Sequence, residues 1–239
     1  MRYQVMPPVF QLEPQLKFGI VIGRSLQNGE TSATDLERLR EAEASARVKL
    51  SAGAPRDWPT VAFYRDVMTR AGINPNKYPV SVEAMLKRVV KGGSLPVINA
   101  LVDLCNAVSL EHLITLGAHD LADIEEDLAV RFAEGNEQFL PFGETKQELV
   151  EPGELIFTSG DQVQTRKWIW RQSELGKTTL ASKDIIFQLV GFEDEPESFF
   201  RQALESIETL VVQRFQGTAE AYVVSSDHPM IEFDRSSTG

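Results

Sequence analysis

The sequence predicts an α+β fold, a mixed or antiparallel sheet with helices packed around it. Two observations carry that expectation. Helical periodicity fills most of the first half of this 239-residue chain, whereas short β-branched runs separated by turn residues dominate the second. Strands and helices are therefore largely segregated along the chain, which argues against a doubly wound sheet.

The run LKFGIVIGR at 16–24 reads as a strand, short and rich in β-branched residues, closed by the turn signal QNGE. From Thr34 the spacing changes: Leu36, Leu39, Ala42, Ala46 and Leu50 recur at helical intervals, with Thr31, Ser32 or Thr34 available as the cap. PTVAFYRDVMTRAG forms a second helix, Pro59 in its first turn and Gly72 at its end. INPNKYPVS is a loop. VSVEAMLKRVVKGG is a third helix, with Ser81 as its expected N-cap and Gly92 as its stop. In SLPVINALVDLCNAVSLEHL the apolar positions Val97, Leu101, Leu104 and Val108 make a fourth, with Asn99, Asp103 and Asn106 on another face. AHDLADIEED then reads as an acidic turn. Strands follow at LAVRFA, ELIFT, VQTRKWIWR and DIIFQLVGF. A helix stretches from Glu197 to Phe215, and EAYVVS and MIEF end the fold as strands. No linker divides the chain, so it reads as one domain over 1–239, with DRSSTG at 234–239 a frayed tail.

Composition narrows the function. A net charge of −11 argues against indiscriminate nucleic-acid binding and excludes DNA as the expected partner. The charge is uneven, however: Arg65, Arg70, Lys77, Lys87, Arg88 and Lys91 stand against only Asp66 and Glu83 in the interval they span. That island could face an anion or could be an ordinary solvated helix face. No apolar run reaches membrane-spanning length and the N-terminus has no signal-like h-region, so a cytoplasmic protein without a membrane partner is expected. The lone Cys105 sits in an apolar helical run and reads as a buried thiol. There is no phosphate loop, no dinucleotide fingerprint, no GxSxG elbow and no recognised zinc spacing among His112, His119 and His228, so neither metal nor cofactor is expected.

Three stretches point further. LPVINALVDLCNAVSLE, GAHDLADI and SELGKTTLASKDIIFQL, in this order and spacing, resemble three signatures of the tRNA-editing (B3/B4) domain of the phenylalanyl-tRNA synthetase beta subunit. The family patterns are approximately xPINNxVDxTNYxxLE, HAFDxxKI and GExSxVTxxTxNxLLE. The resemblance covers roughly Tyr64 to Gly191, and the chain looks like a free-standing relative. It implies a B3/B4-like fold whose pocket inspects amino acids esterified to tRNA, a task that arises because a first pocket poorly rejects an analogue with one extra hydroxyl. Carried over by alignment, Glu174 would be the selectivity carboxylate and Asn106 a pocket asparagine. The family histidine falls on Gly117, leaving His119 as the candidate substitute. Where the family has small residues this chain has Trp168, Ile169, Trp170 and Arg171, which would reshape the pocket.

Each assignment has a plainer reading beside it. On a strand Trp168 and Trp170 share one face, as core or as pocket wall. Arg171 could pair with Glu174 or clamp an anion. Asn106 could hydrogen-bond a neighbouring loop, and His119 could be an exposed loop histidine. The resulting expectation is an aminoacyl-tRNA deacylase acting in trans. His119 is its catalytic candidate; Asn106, Glu174, Trp168, Trp170 and Arg171 would contact the substrate. Arg65, Arg70, Lys87, Arg88 and Lys91 would meet tRNA phosphates. The alternatives are a non-catalytic protein that keeps the pocket for a free amino-acid-like ligand and, least favoured by the acidity, a non-catalytic RNA-binding module.

Overall fold

The computed structural model describes residues 1–51, 53–192 and 197–235; within them the order is strand, helix, strand, four helices, strands, helix and two strands. The elements are β1 (Arg2–Val5), α1 (Pro7–Leu12), β2 (Leu16–Arg24), α2 (Ala33–Lys49), α3 (Pro59–Arg70), α4 (Ser81–Val90) and α5 (Ala100–His112). Then come β3 (Thr115–Asp120), β4 (Leu128–Phe132), β5 (Gln138–Phe139), β6 (Glu148–Leu149), β7 (Leu155–Ser159), β8 (Gln162–Arg166), β9 (Arg171–Gln172) and β10 (Ile185–Phe192). The chain continues through α6 (Glu197–Thr209), a π-helical turn at Leu210–Arg214, β11 (Thr218–Val224) and β12 (Met230–Glu232).

Two sheets result. One is mixed, in the order β12-β1-β4-β7-β8-β5-β6 with β9 on the flank of β8; the other is antiparallel, in the order β11-β2-β10-β3. This is the α+β class with helices packed around mixed and antiparallel sheets. Strand β2 shows why its sequence has no polar face. Phe18, Ile20 and Ile22 enter the core shared with β1, β4, β7 and the α2–α4 helices, while Val21 faces α5 and α6. Gly19 and Gly23 lie on that second face. A Cβ at Gly19 would sit 3.0 Å from Phe200 and Leu204, so the glycine is what lets α6 approach the sheet.

Helix α2 starts at Ser32, whose hydroxyl accepts from the Asp35 backbone N–H while Asp35 accepts from the Ser32 N–H, a complete capping box. Asp35 is also gripped by Arg214 at 2.7 and 2.8 Å, tying α2 to the π-turn after α6. The Arg214 hydrogen bond holds the Asp35 carboxyl down to about 2. We expect Asp35→Ala to lower stability at pH 7 by about 1–2 kcal/mol. Because the folded carboxyl is depressed, its stabilisation is complete above the ordinary value near ~4 and fades as pH falls through 2. Thermal unfolding of both proteins across pH 2–7 checks this: the two curves should converge at the acid end.

Several expectations change. Strand β1, helix α1 and the short β5 and β6 had no recognisable pattern. The third helix is capped by no side chain: its cap residue is Val80, and Ser81 lies inside, its hydroxyl 2.8 Å from that of Thr115. Helix α5 begins only after Asn99, which caps it by accepting from the Val102 N–H; Val97 lies outside the helix and half-exposed. Asp103 accepts from the Ile98 N–H of the preceding loop at 3.1 Å and from the Thr31 hydroxyl, in the segment before α2, at 2.5 Å. What reads as an acidic turn begins with strand β3, paired along its length with β10. Residues 234 and 235 are described, Arg24 donating to the Arg235 carbonyl at 2.7 Å, while 236–239 of the expected frayed tail lie outside the described residues. Cys105 is buried, and burial pushes its thiol up to about 12, so it stays a thiol. Among the described residues no helix is long and apolar enough to cross a membrane, and no His, Cys, Asp and Glu cluster could hold a metal ion.

Candidate functional site

VQTRKWIWR is not one strand. β8 stops at Arg166; Lys167 and Trp168 then take left-handed conformations, with φ of 49° and 65°, before β9 begins at Arg171. Glu154 holds this turn, accepting from the Lys167 backbone N–H at 3.1 Å, from Lys167 Nζ at 2.7 Å and from Arg166 Nε at 2.9 Å. The Trp168 N–H donates to the Leu155 carbonyl at 2.6 Å. The two tryptophans therefore do not share a strand face. Trp168 is 0% exposed, edge-on to Tyr64, whereas Trp170 is part-exposed and edge-on to Tyr78 at 4.7 Å.

Between the two sheets this turn leaves a cavity of about 80 Å³. Thr115, Gly117 and His119 of β3 and Gln188 of β10 contribute one wall; Thr165, Trp168, Ile169, Trp170 and Gln172 contribute the other, with Ser81 of α4 at its end. Alternate residues of β3 face inward, and Gln188 stands directly across from Gly117 in the ladder. The bare Gly117 makes room for the His119 ring: a Cβ at 117 would lie 3.3 Å from His119 Nε2.

The proton on His119 can be placed. Gln172 Nε2 donates to the carbonyls of Ala118 at 2.9 Å and Gly176 at 3.3 Å, which fixes it as the amide nitrogen, and it lies 3.3 Å from His119 Nδ1. An amide NH2 this close to Nδ1 disfavours a hydrogen there and so favours the tautomer with the hydrogen on Nε2. The ring is 2% exposed, and burial lowers its pKa to about 4, so it is neutral at pH 7. His119 is a donor toward Gly117, not a base. Tyr3 donates its hydroxyl to Gln188 Oε1 at 2.7 Å, leaving the Gln188 amide nitrogen without a partner among the described residues. The Trp168 indole N–H is buried with no acceptor. The walls thus offer three uncharged N–H groups with no protein partner among the described residues, of which that of Trp168 is fully buried, and no Asp, Glu, Lys or Arg lines the cavity.

Of the expected site residues, His119, Trp168 and Trp170 meet here. Glu174 does not: it pairs with Lys177, accepts from the Gly143 N–H at 2.9 Å, and its own N–H donates to the Leu140 carbonyl, also at 2.9 Å. Arg171 lies opposite Arg166 in the β8–β9 pair and makes no ion pair with Glu174. Asn106 sits half-buried on α5, away from the cavity lining. Gly176, two residues past Glu174, does come close to β3, accepting the Asp120 N–H at 2.9 Å and donating to Asp123 at 3.1 Å. Two stretches more than fifty residues apart are thereby joined.

Most of the basic island is committed within the fold. Arg65 and Lys87 both grip Glu83, at 2.9 and 2.7 Å; Arg70 pairs with Glu13 and Asp66; Arg88 donates to the Ser94 carbonyl. Lys91 alone of the five is exposed with no bonded partner among the described residues. Sequence reasoning missed the cavity's polar residues Gln172 and Gln188 and a basic, aromatic rim beside it. There Lys77 and Lys167 stand over the Tyr78 ring at 5.1 and 4.7 Å, and Tyr78 meets Trp170. The only local signal for the rim was the NKYP loop with its lysine and tyrosine adjacent.

A family model described as B3/4 domain matches residues 63–211, more than half of the chain. No curated protein matches. Among solved structures, the chain is similar to an N-terminal fragment of the phenylalanyl-tRNA synthetase beta-subunit from Pyrococcus horikoshii. Identity is 12% and the TM-score 0.44, over 91% of this chain and 49% of that one. The chain thus spans about half the length of that fragment.

Proposed function

The chain belongs to the B3/4 domain family, and from that premise we propose that it hydrolyses the ester of a wrongly acylated tRNA, its cavity receiving the acyl group. The observation that carries this reading is the convergence of the His119 Nε2–H and the free Gln188 amide in a cavity without ionised walls. Water adds to the acyl carbon, and the carbonyl electrons move onto oxygen, where these donors face the developing charge. Collapse expels the ribose hydroxyl, which takes a proton from the attacking water, and leaves the acid. With His119 neutral and acting as a donor, holding the ester in place and stabilising the oxyanion carry the rate, and no strong general base takes part. On this reading Tyr78 and Trp170 offer stacking surface to the terminal nucleotide, while Lys77 and Lys91 meet phosphates. Because Arg65, Arg70 and Lys87 are already paired, binding should weaken only shallowly with salt, as for about two phosphate contacts.

The test is release of amino acid from a panel of charged and mischarged tRNAs. Selective release by the intact protein, unchanged in Glu174→Ala, supports the reading; no release from any member overturns it. One observation favours a second reading, a non-catalytic protein that binds a small ligand: His119, lowered to about 4, is only a weak base, and no carboxylate lines the cavity.

A further inference from the structure

The chemistry of the cavity wall reaches beyond the ester. Its uncommitted polar groups are donors: the Trp168 indole N–H, the His119 Nε2–H and the Gln188 amide nitrogen. Its acceptors are neutral, namely Gln172 Oε1 and hydroxyls, of which those of Ser81 and Thr115 already bond each other. An ammonium group entering this space would leave water for a wall with no carboxylate, while orphaned donors would stay orphaned. A carboxylate does the reverse, since its two oxygens accept from donors that otherwise have nothing to bond. The rim points the same way: Lys77 and Lys167 stand at Tyr78, and Arg166 and Arg171 face each other on the adjoining strands, against Glu148 and Glu154. Glu174 and Asn106, expected to contact the substrate, lie elsewhere, so neither supplies an acceptor here.

We propose that the cavity is a binding site for a small carboxylic acid without a free α-ammonium group, the 2-hydroxy acids being the best fit, held by Trp168, His119 and Gln188. About 80 Å³ holds roughly half a dozen water-sized positions, the size of lactate. The inference uses the cavity of the proposed function but not its reaction. If that reaction also holds, the favoured acyl groups are hydroxyacyl or N-blocked ones.

Lactate and alanine decide it, being nearly the same shape and differing at the hydroxyl and ammonium. Each is titrated into the intact protein, with no tRNA present, and followed by thermal stability and tryptophan fluorescence. Lactate should bind at least tenfold more tightly than alanine and raise the unfolding temperature. It should also red-shift the Trp168 emission as the buried N–H gains an acceptor. Trp168→Phe and Gln188→Leu should each weaken lactate binding about tenfold, and the second serves if the first does not fold. Alanine binding as well as lactate, or neither binding at 100 mM, overturns the proposal. Lactate binding without release from any tRNA would leave it standing and remove the deacylase reading.

Discussion

Glu83→Ala should destabilise the protein by about 3–5 kcal/mol, the expected loss when one partner of a buried ionic cluster is removed. Glu83 is 0% exposed and accepts from Arg65 Nη1 with both oxygens, at 2.9 and 3.0 Å, and from Lys87 at 2.7 Å. Lys87 can turn to solvent. Arg65 cannot do so freely: its side chain is 16% exposed and pinned by the Pro75 carbonyl and by Asn76 at 2.5 Å. A charge would stay half-buried without its counter-ion. Urea unfolding measures the loss, and adding Arg65→Met should recover much of it, because an apolar chain needs no partner. If Arg65 and Lys87 were instead held free for phosphate, Glu83→Ala would leave stability unchanged and tighten tRNA binding.

The second large effect is on turnover. If the Nε2–H of His119 faces the oxyanion, His119→Ala should lower kcat/KM for ester release by about 10²–10³-fold, mostly in kcat. His119→Gln, which keeps a side-chain N–H, should recover part. A general base at the ordinary histidine value would give a rate rising through that range. Here the intact protein should show no such inflection between pH 5.5 and 7.5, because burial lowers the ring to about 4. Stability responds with a definite sign. Between 6.5 and about 4 the unfolded chain binds a proton at this histidine and the folded one does not. The native state therefore weakens as pH falls across that window, and His119→Ala should remove this part of the slope.

Much of the fold was legible because the relevant patterns are local. β2 and β10 are buried on both faces and read as largely apolar runs, and α2 announces its start through a group of cap candidates that includes Ser32. β3 was not legible: TLGAHD has a glycine and three polar residues, and it becomes a strand because β10 pairs with it and the Gly176 segment closes its end. Nor does anything local mark the turn at Lys167 and Trp168, where no glycine supplies the positive φ; Glu154, the residue before β7, holds it. That one turn separates the two tryptophans, buries the first and opens the cavity. His119 was found through the gap at Gly117, and the tertiary setting reveals it as a neutral donor. Glu174 and Asn106 were placed by alignment of motifs, which carries no information on whether a side chain turns toward the cavity or, like Glu174, toward a local partner such as Lys177.

The strand β1 lies between β4 and β12, Tyr3 pairing with Leu128 on one side and Ile231 on the other. Its hydroxyl also orients Gln188. The first strand thus waits for one of the last before its sheet is complete, a contact over 232 residues between the Met1 amine and Phe233 that carries a large loop-closure entropy. During synthesis the helices can form early, but β1, which carries Tyr3, gains its second neighbour only after residue 232 has left the ribosome. Refolding experiments should therefore find ligand affinity recovering in the slowest phase, later than helical circular dichroism.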